Sequence, residues 1–170
     1  MRLDRTWIES NIPHHGRMCL LDEVIEWDGQ HIRCRSGTHR AADHPLRSRG
    51  RLGIACGIEY AAQAMAAHGA LSGGALAGDA AAAAPARLEI ASGTNVVRGR
   101  PEAGFLANLR DVRLYVLWLD DIATDLICDV TLIAGDHGTA LYDFALTSGT
   151  RTLLSGRATV VFDARQRVRM

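Results

Sequence analysis

The chain contains no lysine, and all 19 of its basic residues are arginine. Without a lysine amine, three chemistries are excluded: Schiff-base catalysis, the lysine-dependent phosphate loop, and the Ser-x-x-Lys acyl-enzyme. The 19 acidic residues balance the arginines. The sequence therefore has no excess charge that would indicate binding to nucleic acid or to an anionic membrane surface.

Paired cysteines and metal-binding spacings are also missing. The four cysteines form no Cys-x-x-Cys pair, so we expect free, buried thiols. The seven histidines include no His-Glu-x-x-His motif, which argues against zinc. Gly50, Gly53 and Gly57 follow a polar loop rather than a strand, so they do not make a dinucleotide fingerprint. The sequence predicts no metal and no cofactor.

The N-terminus, MRLDRTWIESN, has no apolar core of the kind found in signal peptides. We therefore expect neither a signal peptide nor a membrane anchor, and we expect a cytoplasmic protein. A length of 170 residues suggests that residues 1–170 form one domain with a substantial core.

One stretch is long, alanine-rich and nearly free of charge, and it predicts a central helix over residues 53–71. Glu59 and Gln63 lie four residues apart, so they share one stripe of an otherwise apolar cylinder. A carboxylate near a bilayer centre costs about 3 kcal/mol. We therefore predict a helix wrapped by other protein elements, with Glu59 facing a polar cavity.

Burial of Glu59 would raise the pKa of its carboxyl and keep it protonated near neutral pH, as a general acid requires. The alternative is that Glu59 pairs with an arginine or caps a neighbouring strand.

The rest of the chain predicts strands on both sides of the central helix. Residues 6–11 predict a helical turn, and the Asp28-Gly29 pair predicts a hairpin between strands at 17–28 and 31–38. After a Gly- and Ala-rich insert at 72–103, read as a mobile loop with a weak strand or hairpin signal at 87–101, four strands follow. These are predicted at 104–118, 124–134, 139–147 and 151–162. About six antiparallel strands that bury one face on a single helix make an α+β fold.

Two motifs carry a resemblance to a known family. The first is Ile12-Pro13-His14-His15-Gly16-Arg17-Met18-Cys19-Leu20-Leu21-Asp22-Glu23-Val24, and the second is Gly57-Ile58-Glu59-Tyr60-Ala61-Ala62-Gln63. Together they resemble the hotdog-fold 3-hydroxyacyl-[acyl-carrier-protein] dehydratases, in which a curved antiparallel sheet wraps one central helix. Within that family the sequence is most similar to the dehydratase-like proteins of aryl-polyene pigment pathways.

The resemblance implies an activity, namely removal of water from 3-hydroxyacyl chains on an acyl carrier protein to give trans-2-enoyl thioesters. A base must remove the C2 proton and an acid must protonate the departing hydroxyl. We assign His44 as base, Glu59 as acid and Gln63 as support for Glu59. The alternatives are a solvated loop histidine for His44 and a packing or dimer-contact amide for Gln63. Backbone amides between Gly53 and Gly57 are candidates for binding the enolate oxygen.

The histidine loop departs from the family pattern. It reads Asp43-His44-Pro45-Leu46 and lies fifteen residues before Glu59, one more than in the family. His14 is the reserve base, although the family's histidine at that position is usually read as structural. Whether His44 or His14 is the base stays open.

The resemblance also implies partners. Arg47, Arg49 and Arg51 alternate before the helix, either as solvated charge or as a docking patch for the acidic carrier protein and its phosphopantetheine arm. The family's two active sites lie at a dimer interface, so we expect a homodimer or a heterodimer with another dehydratase-like subunit. Two alternative functions remain: a hotdog thioesterase, and a non-catalytic subunit that binds acyl chains or a partner dehydratase.

Overall fold

The computed structural model describes residues 2–72, 104–136 and 138–162. Two helices are present in these ranges, α1 (Arg5–Asn11) and α2 (Gly57–Leu71). The strands are β1 (Leu3–Asp4), β2 (Glu23–Trp27), β3 (His31–Ser36), β4 (Gly104–Leu114), β5 (Leu126–Gly135), β6 (Thr139–Ser148) and β7 (Arg151–Phe162). The predictions for the insert beyond residue 72 lie outside the described residues.

The described strands form one antiparallel sheet in the order β1-β2-β3-β5-β6-β7-β4. The predicted α+β fold is confirmed, with a hairpin at Asp28-Gly29 and the four strands after the helix. One strand was missed: Leu3 and Asp4 pair with Val24 and Glu23. Two residues are too few to show the alternation that identifies a strand.

The inner face of the sheet is apolar because side chains alternate along each strand. In β6, Tyr142, Phe144 and Leu146 are buried and the residues between them are only half-buried. Leu126, Cys128 and Val130 do the same in β5. This face packs against α2, mainly through β3, β5 and β6.

α2 approaches the sheet closely at its first residue. A Cβ atom added to Gly57 would lie 2.6 Å from Leu154 Cδ2 and 2.9 Å from Leu146 Cδ2. Real Cβ atoms do not approach carbon that closely, so a larger residue here would require the two leucine side chains to move or the helix to shift away from β6 and β7. Gly57 therefore allows close packing of α2 on the sheet, and its predicted role in the approach of a thioester stays a prediction.

The entry to α2 begins later than predicted. A short 3-10 turn, Ile54–Cys56, precedes α2, and the Ile54 N–H donates to the Leu117 carbonyl. Gly53 forms an isolated β-bridge with Trp118. The strand predicted to reach Trp118 stops at Leu114. Tyr115 keeps one hydrogen bond to the Leu153 carbonyl of β7, and Leu117 and Trp118 then contact the start of the helix.

Within its described residues the chain has no helix of sufficient length and apolarity to span a membrane.

Candidate active site

The Glu59 carboxylate lies on α2 and contacts two side chains. His14 Nε2 lies 3.1 Å from Glu59 Oε1, and Gln63 Nε2 donates to the same oxygen at 3.0 Å. Gln63 is one turn further along α2, whereas His14 comes from the loop that follows α1. The side chains of His14 and Glu59 are 30% and 32% exposed, so a ligand can reach this pair.

These contacts change the protonation expected for Glu59. Partial burial raises the pKa of the Glu59 carboxyl, but the hydrogen bonds from His14 and Gln63 outweigh burial, and the pKa lies below the ordinary value of 4.5. The prediction that Glu59 stays protonated near neutral pH is therefore wrong. Neither alternative for Glu59, an arginine partner or a strand cap, describes these contacts. The sequence predicted a polar setting for Glu59, but it did not identify the side chains that donate hydrogen bonds to the carboxylate.

Gln63 is fully buried and uses both ends of its amide. Its Oε1 accepts from the Leu20 N–H at 2.8 Å, and its Nε2 donates to the Met18 carbonyl at 2.8 Å as well as to Glu59. A backbone N–H can only donate and a carbonyl can only accept, so these contacts fix the orientation of the amide. Gln63 thus links the carboxylate to the segment that follows His14.

His14 must carry a proton on Nε2, because Glu59 Oε1 is an acceptor when ionised. The other ring nitrogen, Nδ1, is buried and has no hydrogen-bond partner among the described residues. The reserve base of the sequence analysis is therefore the histidine in contact with Glu59.

His44 makes different contacts. It is 5% exposed; its Nδ1 accepts from the Leu46 N–H at 3.2 Å, and its Nε2 lies 3.0 Å from the Tyr60 hydroxyl. Because Nδ1 accepts, the neutral ring carries its proton on Nε2 and donates it to Tyr60. Both nitrogens are thus occupied by the protein, and neither contacts Glu59. The base role of His44 stays a prediction that this geometry does not favour.

A hydrogen-bond chain continues from His44 into the core. Tyr60 Oη lies 2.9 Å from Thr38 Oγ1, and Thr38 Oγ1 donates to the Leu20 carbonyl at 2.8 Å. Burial lowers the pKa of His44, as do the nearby charges of Arg47 and His39. His44 is therefore neutral near pH 7. Sequence reasoning did not assign Tyr60 and Thr38 a part in this site, although the polar Tyr60 on an apolar helix was a signal.

The predicted enolate donors at the start of α2 are partly occupied. The Gly57 N–H bonds to the carbonyls of Ile54 and Ala55, and the Ile54 N–H bonds to Leu117. A Cβ at Gly53 would have nothing within 4 Å, so this residue borders open space. The role of Gly53 and Gly57 in binding a thioester stays a prediction.

The arginines before the helix are mostly engaged within the chain. Arg47 and Arg51 both contact Asp120, at 3.3 and 2.8 Å, and Arg51 also pairs with Asp121. Arg49 is exposed, with φ of 51°, in a tight turn closed by Ser48 and Arg51. Two residues of the predicted docking patch, Arg47 and Arg51, therefore stabilise the loop that contains them.

Metal ligands do not cluster in the part of the chain that the structure describes: no group of three or more His, Cys, Asp or Glu side chains could hold an ion there. The four cysteines are free; Cys19, Cys34 and Cys128 are buried and Cys56 is half-buried.

An antiparallel sheet that packs on one long helix, with a Glu and a Gln one turn apart on that helix, defines a hotdog-fold protein. Residues 6–85 match the ApeP-like family, described as ApeP dehydratase. This match covers just under half of the chain, so residues 6–85 are similar to the ApeP-like proteins. A sequence search of curated proteins found no match.

Solved structures show the same fold. The dehydratase heterocomplex ApeI:P from Xenorhabdus doucetiae matches with a TM-score of 0.69 and 19% identity, over 94% of this chain and 92% of that chain. A thioesterase from Haemophilus influenzae matches with a TM-score of 0.50 and 11% identity, over 82% of this chain and 76% of that one. A conserved protein from Pseudomonas aeruginosa matches with a TM-score of 0.50 and 12% identity, over 80% and 82%.

Proposed function

We propose that this chain dehydrates 3-hydroxyacyl thioesters held on an acyl carrier protein, with Glu59 and His14 as the proton-transfer pair. The observation that carries the proposal is the contact of an ionised, partly exposed Glu59 with His14 Nε2 at 3.1 Å. Proton transfer needs a group that can accept and a group that can donate within reach of one substrate. His14 and Glu59 meet that need in a single chain.

In the reactive state Glu59 is a carboxylate and His14 carries a proton on both ring nitrogens. Glu59 takes the C2 proton, the electron pair of that bond forms the C2–C3 double bond, and the C3–O bond breaks. The proton on His14 Nε2 passes to the departing hydroxyl, which leaves as water. Glu59 then returns its proton to His14 Nε2 along their hydrogen bond, which restores both groups.

A second hotdog subunit is the proposed protein partner. Among the described residues β4 is an edge strand of the sheet, and large apolar side chains on and just after it are exposed there. These are Phe105, Leu106, Leu114, Tyr115, Leu117 and Trp118. An unpaired edge strand with apolar side chains is typical of an interaction surface. The heterocomplex of the similar ApeI:P structure supports a dehydratase-like subunit as the occupant.

The second subunit is also a candidate source of a hydrogen-bond acceptor for His14 Nδ1. A buried N–H without an acceptor is costly, and Nδ1 has no partner among the described residues. We expect the second subunit or the bound substrate to provide the acceptor that the protonated ring needs.

One alternative has a specific observation in its favour. Because Glu59 is ionised, it is also able to take a proton from water and direct the hydroxide at a thioester carbonyl. This is the reaction of a thioesterase, the activity named for one of the similar structures. It would release a free thiol, whereas dehydration leaves the thioester intact.

Mass spectrometry of a 3-hydroxyacyl carrier protein, supplied with and without a second hotdog subunit, tests the proposal. We expect the wild type to remove 18 Da, the mass of water, from the acyl chain. Glu59→Gln keeps the shape of the side chain but cannot accept a proton, so the rate should fall roughly 10²- to 10⁴-fold. His15→Gln, next to His14 and exposed, is the matched control and should be unchanged.

Thiol release without water loss would assign the thioesterase reaction instead. A wild type that is inert even with the second subunit would make the chain a non-catalytic partner.

A further inference from the structure

Arg5, the first residue of α1, binds two separate parts of the chain with one guanidinium. Its Nη2 donates to the carbonyls of Gly16 and Cys19 at 2.8 and 2.7 Å. Its Nε and Nη1 pair with Glu9 at 3.0 Å and Asp22 at 3.2 Å. The two carboxylates orient the planar group, so that its remaining edge faces the two carbonyls.

The two carbonyls bracket the turn that follows His14. This turn, Gly16–Met18, begins at a glycine with φ of +56°, a conformation that other residues adopt only with strain. Arg5 therefore ties both ends of a tight turn to α1. On the other side of His14, the buried Ile12 N–H bonds to Ile8 in the same helix.

The segment after the turn is fixed as well. Gln63 holds the Met18 carbonyl and the Leu20 N–H, and the hydroxyls of Ser36 and Thr38 donate to the Leu20 carbonyl. Side chains from α1, from α2, from the end of β3 and from the turn after β3 thus hold successive backbone groups. Of these side chains, Arg5 is the one that acts nearest to His14 in the chain and lies away from the buried core, with 36% of its side chain exposed.

We infer that Arg5 is a positioning residue for the His14–Glu59 pair, because its guanidinium holds the turn that sets where the His14 ring lies. The inference rests on the proposed function of that pair. Arg5 itself does not contact Glu59. Its effect passes through the Gly16 and Cys19 carbonyls to the backbone of the His14 loop, and positioning at this level sets the distance between reacting groups.

Replacement of Arg5 by Met tests the inference, since Met keeps an unbranched apolar stem without the donors. Two quantities are measured: the pKa of the Glu59 carboxyl by ¹³C NMR, and kcat and KM for dehydration. We expect the pKa of Glu59 to rise, because the hydrogen bond from His14 lowers it and partial burial raises it. We expect kcat to fall roughly 10- to 100-fold with little change in KM.

Arg2→Met is the matched control. Arg2 is 73% exposed and pairs with Glu23, so this variant should leave both quantities as in the wild type. Arg5→Lys retains the charge but not the planar fork, and it should give an intermediate result. If Arg5→Met does not fold, the same two measurements on Arg5→Lys test the inference.

A merely structural role for Arg5 predicts something else: a lower melting temperature, with the pKa of Glu59 and kcat equal to those of Arg2→Met. That result would overturn the inference. The NMR measurement does not depend on turnover. If the wild type is inert, the proposed function fails, yet a raised pKa of Glu59 in Arg5→Met would still support the positioning role.

Discussion

Two neighbouring residues of α2, Glu59 and Tyr60, each contact a histidine. The two contacts differ in solvent exposure and in the charge of the side chains. Glu59 is ionised, about one third exposed, and contacts His14. Tyr60 is fully buried and contacts His44, which is neutral and has both ring nitrogens occupied. The two histidines therefore differ in how available they are to a substrate, because both ring nitrogens of His44 are hydrogen-bonded within the chain. Reactivity needs a polar partner that a substrate can still reach.

Both regions hold the backbone of the same residue, Leu20. Gln63, on the Glu59 side, holds the Leu20 N–H, and Thr38, on the Tyr60 side, holds the Leu20 carbonyl. The Tyr60 side is therefore a support for the loop that carries His14. The Tyr60 side contributes support alone, whereas the Glu59 side combines support through Gln63 with the proposed proton transfer, so substitutions can separate the two functions.

The largest change in stability should come from Gln63→Leu. This substitution leaves the buried Leu20 N–H and the partly buried Met18 carbonyl without their partner. Each unsatisfied group costs about 1–3 kcal/mol, so the free energy of unfolding should drop by roughly 2–5 kcal/mol in urea denaturation.

Gln30→Leu is the control for that substitution, because the Gln30 side chain is exposed. It should change the free energy of unfolding by less than about 0.5 kcal/mol. Equal losses in the two variants would mean that the buried amide contributes nothing through its hydrogen bonds.

A smaller effect is expected in the pH dependence of the free energy of unfolding, which should differ between the two regions. Burial lowers the pKa of His44 below its ordinary value of 6.5. The unfolded chain therefore binds a proton at a higher pH than the folded chain does. The stability from neutral His44 is complete above pH 6.5 and is lost as the pH falls through the lower, folded pKa.

Glu59 acts in a more acidic window. The pKa of Glu59 is lowered from 4.5, so its contribution is complete above pH 4.5 and is lost as the pH falls through the folded value. Urea denaturation from pH 7.5 to 4 should show a flatter profile below pH 6.5 for His44→Gln than for wild type. His15→Gln, an exposed control, should follow the wild type. Identical profiles for all three would contradict a buried, neutral His44.

The sequence predicted much of this arrangement where the signal is local. The period of two in β5 to β7 identified the strands and their buried faces, and the spacing of four identified Glu59 and Gln63 as neighbours. The helix was predicted from its composition, although its first residues form a 3-10 turn. Among the described strands, the two-residue β1 was missed because it is too short to show a pattern.

The partners of the site could not be predicted in the same way. His14 and Glu59 are 45 residues apart in the chain, and no spacing rule relates such positions. The direction of the Glu59 pKa shift follows from donors that only the folded chain brings close. His44 was assigned as the base because its loop resembles that of the family. In the structure its two ring nitrogens are hydrogen-bonded to Leu46 and Tyr60.

The most direct test of this account is the rate of dehydration by His14→Gln and His44→Gln, measured with the second subunit present and corrected for the folded fraction. The account predicts a fall in kcat of roughly 10²- to 10⁴-fold for His14→Gln and, for His44→Gln, a kcat close to that of the wild type. A His14→Gln variant with wild-type kcat, alongside an inactive His44→Gln variant, would contradict it.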